Sequence, residues 1–369
     1  MKKVTILAFI AMAIFVFACR KTNINENNDK LVTQEWLKDL ETPWQIVFAP
    51  DGRIFFTERA GRVRVVKNGI LSTWLDVSGV IENGESGLLG INLDPDFINN
   101  GYVYIAYTYS TPQWKFNNRL VRCVEDKITG KGKEDKIYID DIRGQANHNG
   151  GPIKIGPDGK LYWTVGDGFD NNLPQDLNSL NGKILRLNLD GTIPSDNPFP
   201  NSYIWTYGHR NVQGLAWQEG TNRLFVTEHG PSSPTDCCID EINIIEKGKN
   251  YGWPVIKGTQ TQAGMENPIW LSGADKTWAP AGAIFIKNGK WKGSFVFVGL
   301  RGETLYRAVI DPNDASKILR VEEYLKQTYG RLRDVAEAPD GTLYICVSNR
   351  DGRGVPRAQD DRIIKLTIQ

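Results

Sequence analysis

The sequence predicts an all-β protein and, within that class, a six-bladed β-propeller of four-stranded antiparallel blades. Two observations carry the expectation. A short phrase recurs six times: a turn built on Pro-Asp-Gly or a close variant, followed by an alternating run of β-branched and aromatic residues. No long amphipathic helix interrupts these runs, and only Asp314 to Gln327 is expected to hold a short one. In each phrase proline presets φ for the turn, aspartate bonds its own backbone and glycine takes positive φ. The alternating run then lays one face on a neighbouring sheet.

The first unit is Ala49-Pro50-Asp51-Gly52 before Arg53-Ile54-Phe55-Phe56-Thr57, and the second is Asp94-Pro95-Asp96 before Tyr102-Val103-Tyr104-Ile105. The third is Gly156-Pro157-Asp158-Gly159 before Leu161-Tyr162-Trp163, and the fourth Gly220-Thr221-Asn222 before Leu224-Phe225-Val226. Asn288-Gly289 with Gly293 introduces Phe295-Val296-Phe297, and Ala338-Pro339-Asp340-Gly341 introduces Leu343-Tyr344-Ile345. Intervals of roughly 50–70 residues suit one blade each. A pair of β-sandwiches would explain the strands but not the sixfold recurrence. The intervals exceed what four strands need. The surplus is loop, and loops gathered on one face of a rigid ring are where sites are built.

Ahead of the repeats, Met1-Lys2-Lys3 and the apolar run Val4 to Ala18 read as a signal peptide, residues 1–18. The run falls short of the ~20 residues that span a bilayer. It ends Ala18-Cys19, which resembles the lipobox of bacterial lipoproteins, so Cys19 is the expected lipidated N-terminus of a periplasmic or outer-envelope protein. Residues 19–31, rich in Asn, Lys, Asp and Glu, can bury no core and are expected to form a flexible tether. The propeller domain is assigned to 32–369.

Lys and Arg total 44 against 43 Asp and Glu, with no basic block, which argues against nucleic acid as a partner. The membrane is expected to be met through the lipid alone. Five cysteines in so long a chain are no disulfide scaffold. Cys237 and Cys238 could bridge each other or pair elsewhere, since export permits disulfides.

Three histidines, His148, His209 and His229, all fall in loops rich in Gly and Asn. His148 lies in Asn147-His148-Asn149-Gly150-Gly151, and Asp167 lies in Gly166-Asp167-Gly168 at the end of the strand that follows. A carboxylate bonded to one ring nitrogen fixes the tautomer and makes the other nitrogen the better base. His148 is therefore the candidate base and Asp167 its orienter. His209 and His229 are as readily structural as catalytic.

Taken with Gly84-Glu85-Ser86-Gly87-Leu88-Leu89-Gly90, Gly208-His209-Arg210-Asn211-Val212-Gln213-Gly214-Leu215, Glu228-His229-Gly230-Pro231, Asp240-Glu241-Ile242-Asn243, Asn250-Tyr251-Gly252-Trp253-Pro254, Ala279-Pro280 and Arg331-Leu332-Arg333-Asp334, these motifs make the chain resemble a known family. It is similar to the soluble PQQ-dependent aldose and glucose/sorbosone dehydrogenases, six-bladed propellers, from about Leu40 to the C-terminus.

The resemblance implies PQQ and calcium as cofactors. It implies a catalytic set of His148, Asp167 and Arg210, and cofactor contacts from His148, Arg210, Asn211, Thr277, Arg301, Arg331 and Arg333. Guanidinium forks suit the three carboxylates of PQQ. Arg301 stands where glucose-type members carry lysine. Glu85 matches a substrate-contacting position where glutamine occurs in relatives, which keeps an acceptor and loses a donor. The backbone carbonyls of Gly230 and Pro231 would ligate calcium on the quinone, and Glu241 with Tyr251 a second, structural calcium; hard oxygen ligands suit that ion. Ser232 to Ile239 departs from the family pattern.

The implied reaction oxidises an aldose at C1 to the aldonolactone, with hydride transfer to the quinone and electrons passed to an external acceptor, a quinone or a cytochrome. Two other classes compete. A calcium-dependent sugar lactonase would need several carboxylates converging on one metal, and the acidic residues of the motifs are few and dispersed. A non-catalytic carbohydrate-binding propeller lipoprotein would be expected to lose His148 or Arg210, and both are present.

Overall fold

The computed structural model describes residues 29–111, 115–233 and 236–369. The expected signal peptide and Cys19 lie outside them. Six four-stranded antiparallel sheets follow one another along the chain. In blade 1 the strands are Pro43–Phe48, Ile54–Glu58, Arg62–Lys67 and Ile70–Asp76, and in blade 2 Leu88–Leu93, Tyr102–Ser110, Phe116–Glu125 and Gly132–Arg143. Blade 3 holds Ile153–Ile155, Leu161–Val165, Lys183–Leu187 and Ile204–Tyr207; blade 4 holds Val212–Trp217, Leu224–Glu228, Glu241–Ile245 and Trp270–Leu271. Blade 5 comprises Pro280–Phe285, Phe295–Gly299, Thr304–Asp311 and Asp314–Tyr324. Blade 6 takes Leu332–Glu337, Leu343–Val347 and Ile363–Ile368 from the C-terminus, and its outer strand, Leu31–Leu37, from the N-terminus.

Every Pro-Asp-Gly-type phrase occupies the same place, the turn between the first and second strands of its blade. Those turns share one face of the ring. The first strand of each blade therefore starts, and the second ends, at the opposite face. The closing strand pairs Leu31 with Ile368 and Leu37 with Ile363, so the chain enters the ring from the turn face. Docking begins before Val32: Asp29 accepts hydrogen bonds from Trp291 Nε1 (2.7 Å) and Tyr324 Oη (3.0 Å) and pairs with Lys290 (2.6 Å). Residues 29–31, read as tether, thus belong to the folded ring. The short helix expected in Asp314 to Gln327 is instead the edge strand Asp314–Tyr324, whose polar outer face mimics helical spacing while Leu319 and Arg320 face solvent.

Apolar residues of the middle strands fill the gaps between blades. Phe55, Val63 and Trp74 of blade 1 meet Leu88, Val103 and Ile105 of blade 2 in one such cluster. The innermost strands cannot pair with each other, and side chains bridge them instead. Gln45 donates to Ile153 O (3.1 Å) and accepts from Ile91 N (3.0 Å). A threonine ending the second strand reaches the inner strand of the next blade three times: Thr57 to Leu89 O (2.6 Å), Thr164 to Val212 O (3.0 Å) and Thr227 to Ala281 O (2.7 Å). Register shifts also mark the site-end of the first strand in blades 1, 2, 4, 5 and 6. Such bulges turn a residue out of the ladder and re-aim its side chain.

If the threonine clips hold blade to blade, Thr227→Val should destabilise the ring by about 1–3 kcal/mol, because the volume is kept and Ala281 O loses its buried donor. A denaturant midpoint unchanged from the parent would contradict this.

Candidate active site

The face opposite the turns carries a cavity of about 330 Å³. Its wall draws on residues just before a first strand (Glu85, His148, Arg210, Thr277, Arg331) or just after a second one (Arg59, His229, Arg301, Asp351). Arg333 joins them from a bulge: Leu332 pairs with Val347 and Asp334 with Cys346, and Arg333 is left between. That is how two arginines, two positions apart at a strand end, come to one wall.

His148 takes φ 60°, which turns its ring toward Asp167. Its Nδ1 lies 2.7 Å from Asp167 Oδ1, and both residues are buried. A carboxylate only accepts, so Nδ1 carries the proton and Nε2 keeps its lone pair. The approach depends on glycine: a Cβ on Gly166 would stand 2.1 Å from His148 O. Asp167 is held further by Phe169 N on Oδ1 (2.9 Å) and by Trp253 Nε1 on Oδ2 (2.9 Å). The Phe169 ring stacks on His148 with centroids 4.2 Å apart, yet is 60% exposed at the mouth.

Arg210 donates to His229 O (3.0 Å) and its guanidinium lies 5.4 Å from the centroid of Trp253. Glu228 anchors the backbone here, accepting from Arg210 N and from His209 Nδ1 (2.9 Å). His209 is thereby settled as structural, for its Nε2 meets Thr206 Oγ1 at 2.9 Å and its ring stacks on Tyr251 at 4.7 Å. His229 lines the cavity. Burial pulls its pKa down to about 3, so the ring is neutral, and its Nε2 has no partner among the described residues.

Asp240 joins two loops of the wall. One oxygen accepts from Gly230 N (3.0 Å), the other from Thr277 Oγ1 (3.0 Å), Trp278 N (2.6 Å) and Ala279 N (3.0 Å). Arg301, more exposed, donates to Ser232 O (3.3 Å). Asn211 stands apart from the other expected contacts: it lies behind the wall, where its Oδ1 accepts from Gly150 N (3.0 Å) while Nδ2 has no partner. Glu85 accepts from His148 N (3.1 Å) and from Arg353 (2.6 Å). Burial works against its ionisation, but the Arg353 guanidinium and the hydrogen bond from His148 N hold its pKa down to about 2.

Among the described residues the wall carries Arg59, Arg210, Arg301, Arg331, Arg333 and Arg353. Arg59 pairs with Glu82 (3.1 Å), Arg331 with Asp351 (2.7 Å) and Arg353 with Glu85 (2.6 Å). Arg333 donates to Gln213 Oε1 (2.9 Å), but its Nε is unpartnered among the described residues, and burial draws its pKa down to about 10. This is a buried cation awaiting an anion. Beside the cavity, Glu228 and Glu241 face each other across paired strands and, with Gly230, Pro231 and Tyr251, line a small void. Burial and the Glu228 carboxylate push the Glu241 carboxyl up, and two facing carboxylates beside backbone carbonyls are a donor set that suits a hard cation. Near these loops Cys237 and Cys238 are joined to each other. Arg59, Asp351, Arg353, Phe169 and Trp253 had no role assigned from sequence. Their shared signal was position, since Arg59, Phe169 and Asp351 each closely follow a second strand.

The chain is similar to known proteins over most of its length. Residues 40–357 match the family model described as Glucose / Sorbosone dehydrogenase. The aldose sugar dehydrogenase YliI of Escherichia coli is 30% identical over 358 residues, covering 87% of this chain and 91% of its own. Among solved structures, an oxidoreductase (glucose dehydrogenase) of Thermus thermophilus superposes with a TM-score of 0.84 at 39% identity, covering 92% of this chain and 100% of that one. The PQQ-bound aldose sugar dehydrogenase of Streptomyces coelicolor gives 0.82 at 35%, covering 92% and 98%.

The low pKa of Glu85 makes a directional prediction. A folded pKa below the ordinary 4.5 adds stability above pH 4.5 that is lost as pH falls toward about 2. Thermal unfolding across that window should show a shallower acid loss in Glu85→Gln than in the parent, and parallel curves would contradict the pairing.

Proposed function

The chain belongs to the glucose/sorbosone dehydrogenase family, and on that premise we propose that it is a PQQ- and calcium-dependent enzyme that oxidises an aldose at C1 to the aldonolactone. The observation that carries the reading is the buried His148–Asp167 pair on a wall rich in arginine, where Arg333 is buried with an Nε that meets no acceptor among the described residues. Arg301, Arg331 and Arg333 would hold the carboxylates of PQQ, with Thr277 beside them. Asn211 would act from behind the wall by fixing Gly150. The carbonyls of Gly230 and Pro231 would take one calcium, and Glu241 with the Tyr251 carbonyl a second.

The chemistry that bound PQQ supplies is acceptance of the C1 hydride, with calcium drawing electron density from the quinone. The residues do the rest. His148 Nε2 takes the proton of the anomeric hydroxyl, and Asp167 stabilises the imidazolium that forms. Arg210, fixed on His229 O, sets positive charge where negative charge develops. Phe169 covers one face of the His148 ring against water. Glu85 is already bonded to Arg353 and His148 N, so it shapes the sugar pocket as an ion pair. A lactonase reading finds no support in the donor set, since no three His, Cys, Asp or Glu converge among the described residues. We place the enzyme outside the cytoplasm, held through a lipid on Cys19, with electrons leaving to an external quinone or cytochrome.

Two outcomes are expected. Adding PQQ and calcium to the apo-protein should produce the absorbance of bound quinone and aldose oxidation with an artificial acceptor, and chelation before loading should abolish both; no spectral change on addition would sink the reading. His148→Ala should lower kcat by about 10²–10⁴-fold, the usual contribution of a general base, while quinone binding persists. Near-parental turnover in that variant would remove His148 from the role.

A further inference from the structure

We propose that Trp253 is a positioning residue for this reaction, fixing Asp167 behind His148 with its indole N–H and carrying Arg210 on its ring. The inference rests on the function just proposed. One side chain touches both halves of the site: Nε1 donates to Asp167 Oδ2 at 2.9 Å, and the ring lies 5.4 Å below the Arg210 guanidinium. The two oxygens of Asp167 are then held differently. Oδ1 receives His148 Nδ1 and Phe169 N, whereas Oδ2 has Trp253 as its one protein donor among the bonds described. Without the indole, the carboxylate is free to swing about its Cβ–Cγ bond, and the imidazole loses its fixed direction.

The backbone at Trp253 is secured separately. Its N–H donates to Gly208 O (2.8 Å) and its carbonyl accepts from Gln175 Nε2 (2.8 Å). Replacing the side chain therefore leaves the turn tied to the blade. The cation–π contact with Arg210 and the charge-assisted bond to Asp167 join a base and an electrophile that sit on different blades. A small displacement of either reacting group costs far more in turnover than in binding.

The test is Trp253→Phe, which keeps a ring and deletes the donor, made in the parent and in Asp167→Asn, with Trp253→His as a second variant that can restore a donor. In holoenzyme the Phe variant should lower kcat roughly ten- to hundredfold, with sugar KM and quinone affinity within about twofold. The loss should shrink to nothing in the Asp167→Asn background, and the His variant should recover part of it. A merely structural role would instead lower stability and quinone affinity, and its cost would add fully to that of Asp167→Asn. Unchanged kcat or full additivity would overturn the proposal. Proton NMR of the His148 Nδ1–H in protein without sugar gives a readout independent of turnover. Its signal should shift and exchange faster in the Phe variant, and an unaltered signal would overturn the proposal even if the wild-type chain oxidised no sugar.

Discussion

The inner edge of each blade is the constraint on which the molecule depends. Six first strands line the axis with backbone N–H and C=O groups that no neighbouring strand can reach, and a buried polar group without a partner costs as much as a lost hydrogen bond. Side chains supply what the sheets cannot. Gln45 serves three blades from one amide, since its oxygen meets Ile91 N and, at 3.4 Å, Ile153 N, while its nitrogen meets Ile153 O. The threonine hydroxyls do the same at three of the interfaces, and Asp334 accepts from Ile46 N at 2.9 Å to join blades 6 and 1. Stability and polarity of the axis are therefore one problem with one solution.

The cavity grows out of that solution. Where the first strands begin they splay, bulge and stop pairing, so donors and acceptors accumulate at a single end of the ring. Gln213 and Arg333 are both bulge residues, and they bond to each other at 2.9 Å across the axis. Arginines gather there, and the buried guanidinium of Arg333 suits an anionic ligand. His209, Glu228, Asp240 and Asn211 spend their polar groups on holding loops, and this lets His148, Arg210 and Arg333 keep atoms free for chemistry.

Much of this was legible in the chain. The turn phrases located all six first hairpins, because proline, aspartate and glycine act locally. His148 and Asp167 came together as expected, one before a first strand and the other after the next. What escaped were features set by register between distant strands. Nothing local announces that Arg333 sits on a bulge, or that Trp253, 86 residues from Asp167, donates to it. The threonine clips left a trace, since Thr57, Thr164 and Thr227 each close a run of apolar strand residues, but their purpose needs the next blade in view. Asp314–Tyr324 is a strand where the sequence predicts a short helix, because an edge strand with a polar outer face shares charged spacing with a helix. Closure of blade 6 by Leu31–Leu37 was invisible because that strand lacks the turn phrase.

That closing strand also fixes which way the molecule looks. It enters from the turn face and runs toward the cavity face, so the described chain begins, at Asp29, on the side of the ring away from His148. A membrane approached from that side would face the turns and leave the mouth open to the aqueous compartment. Sugar and electron acceptor would then compete for one aqueous doorway. A soluble carrier could reach that doorway directly, whereas a carrier buried in the same membrane would require the whole ring to tip over.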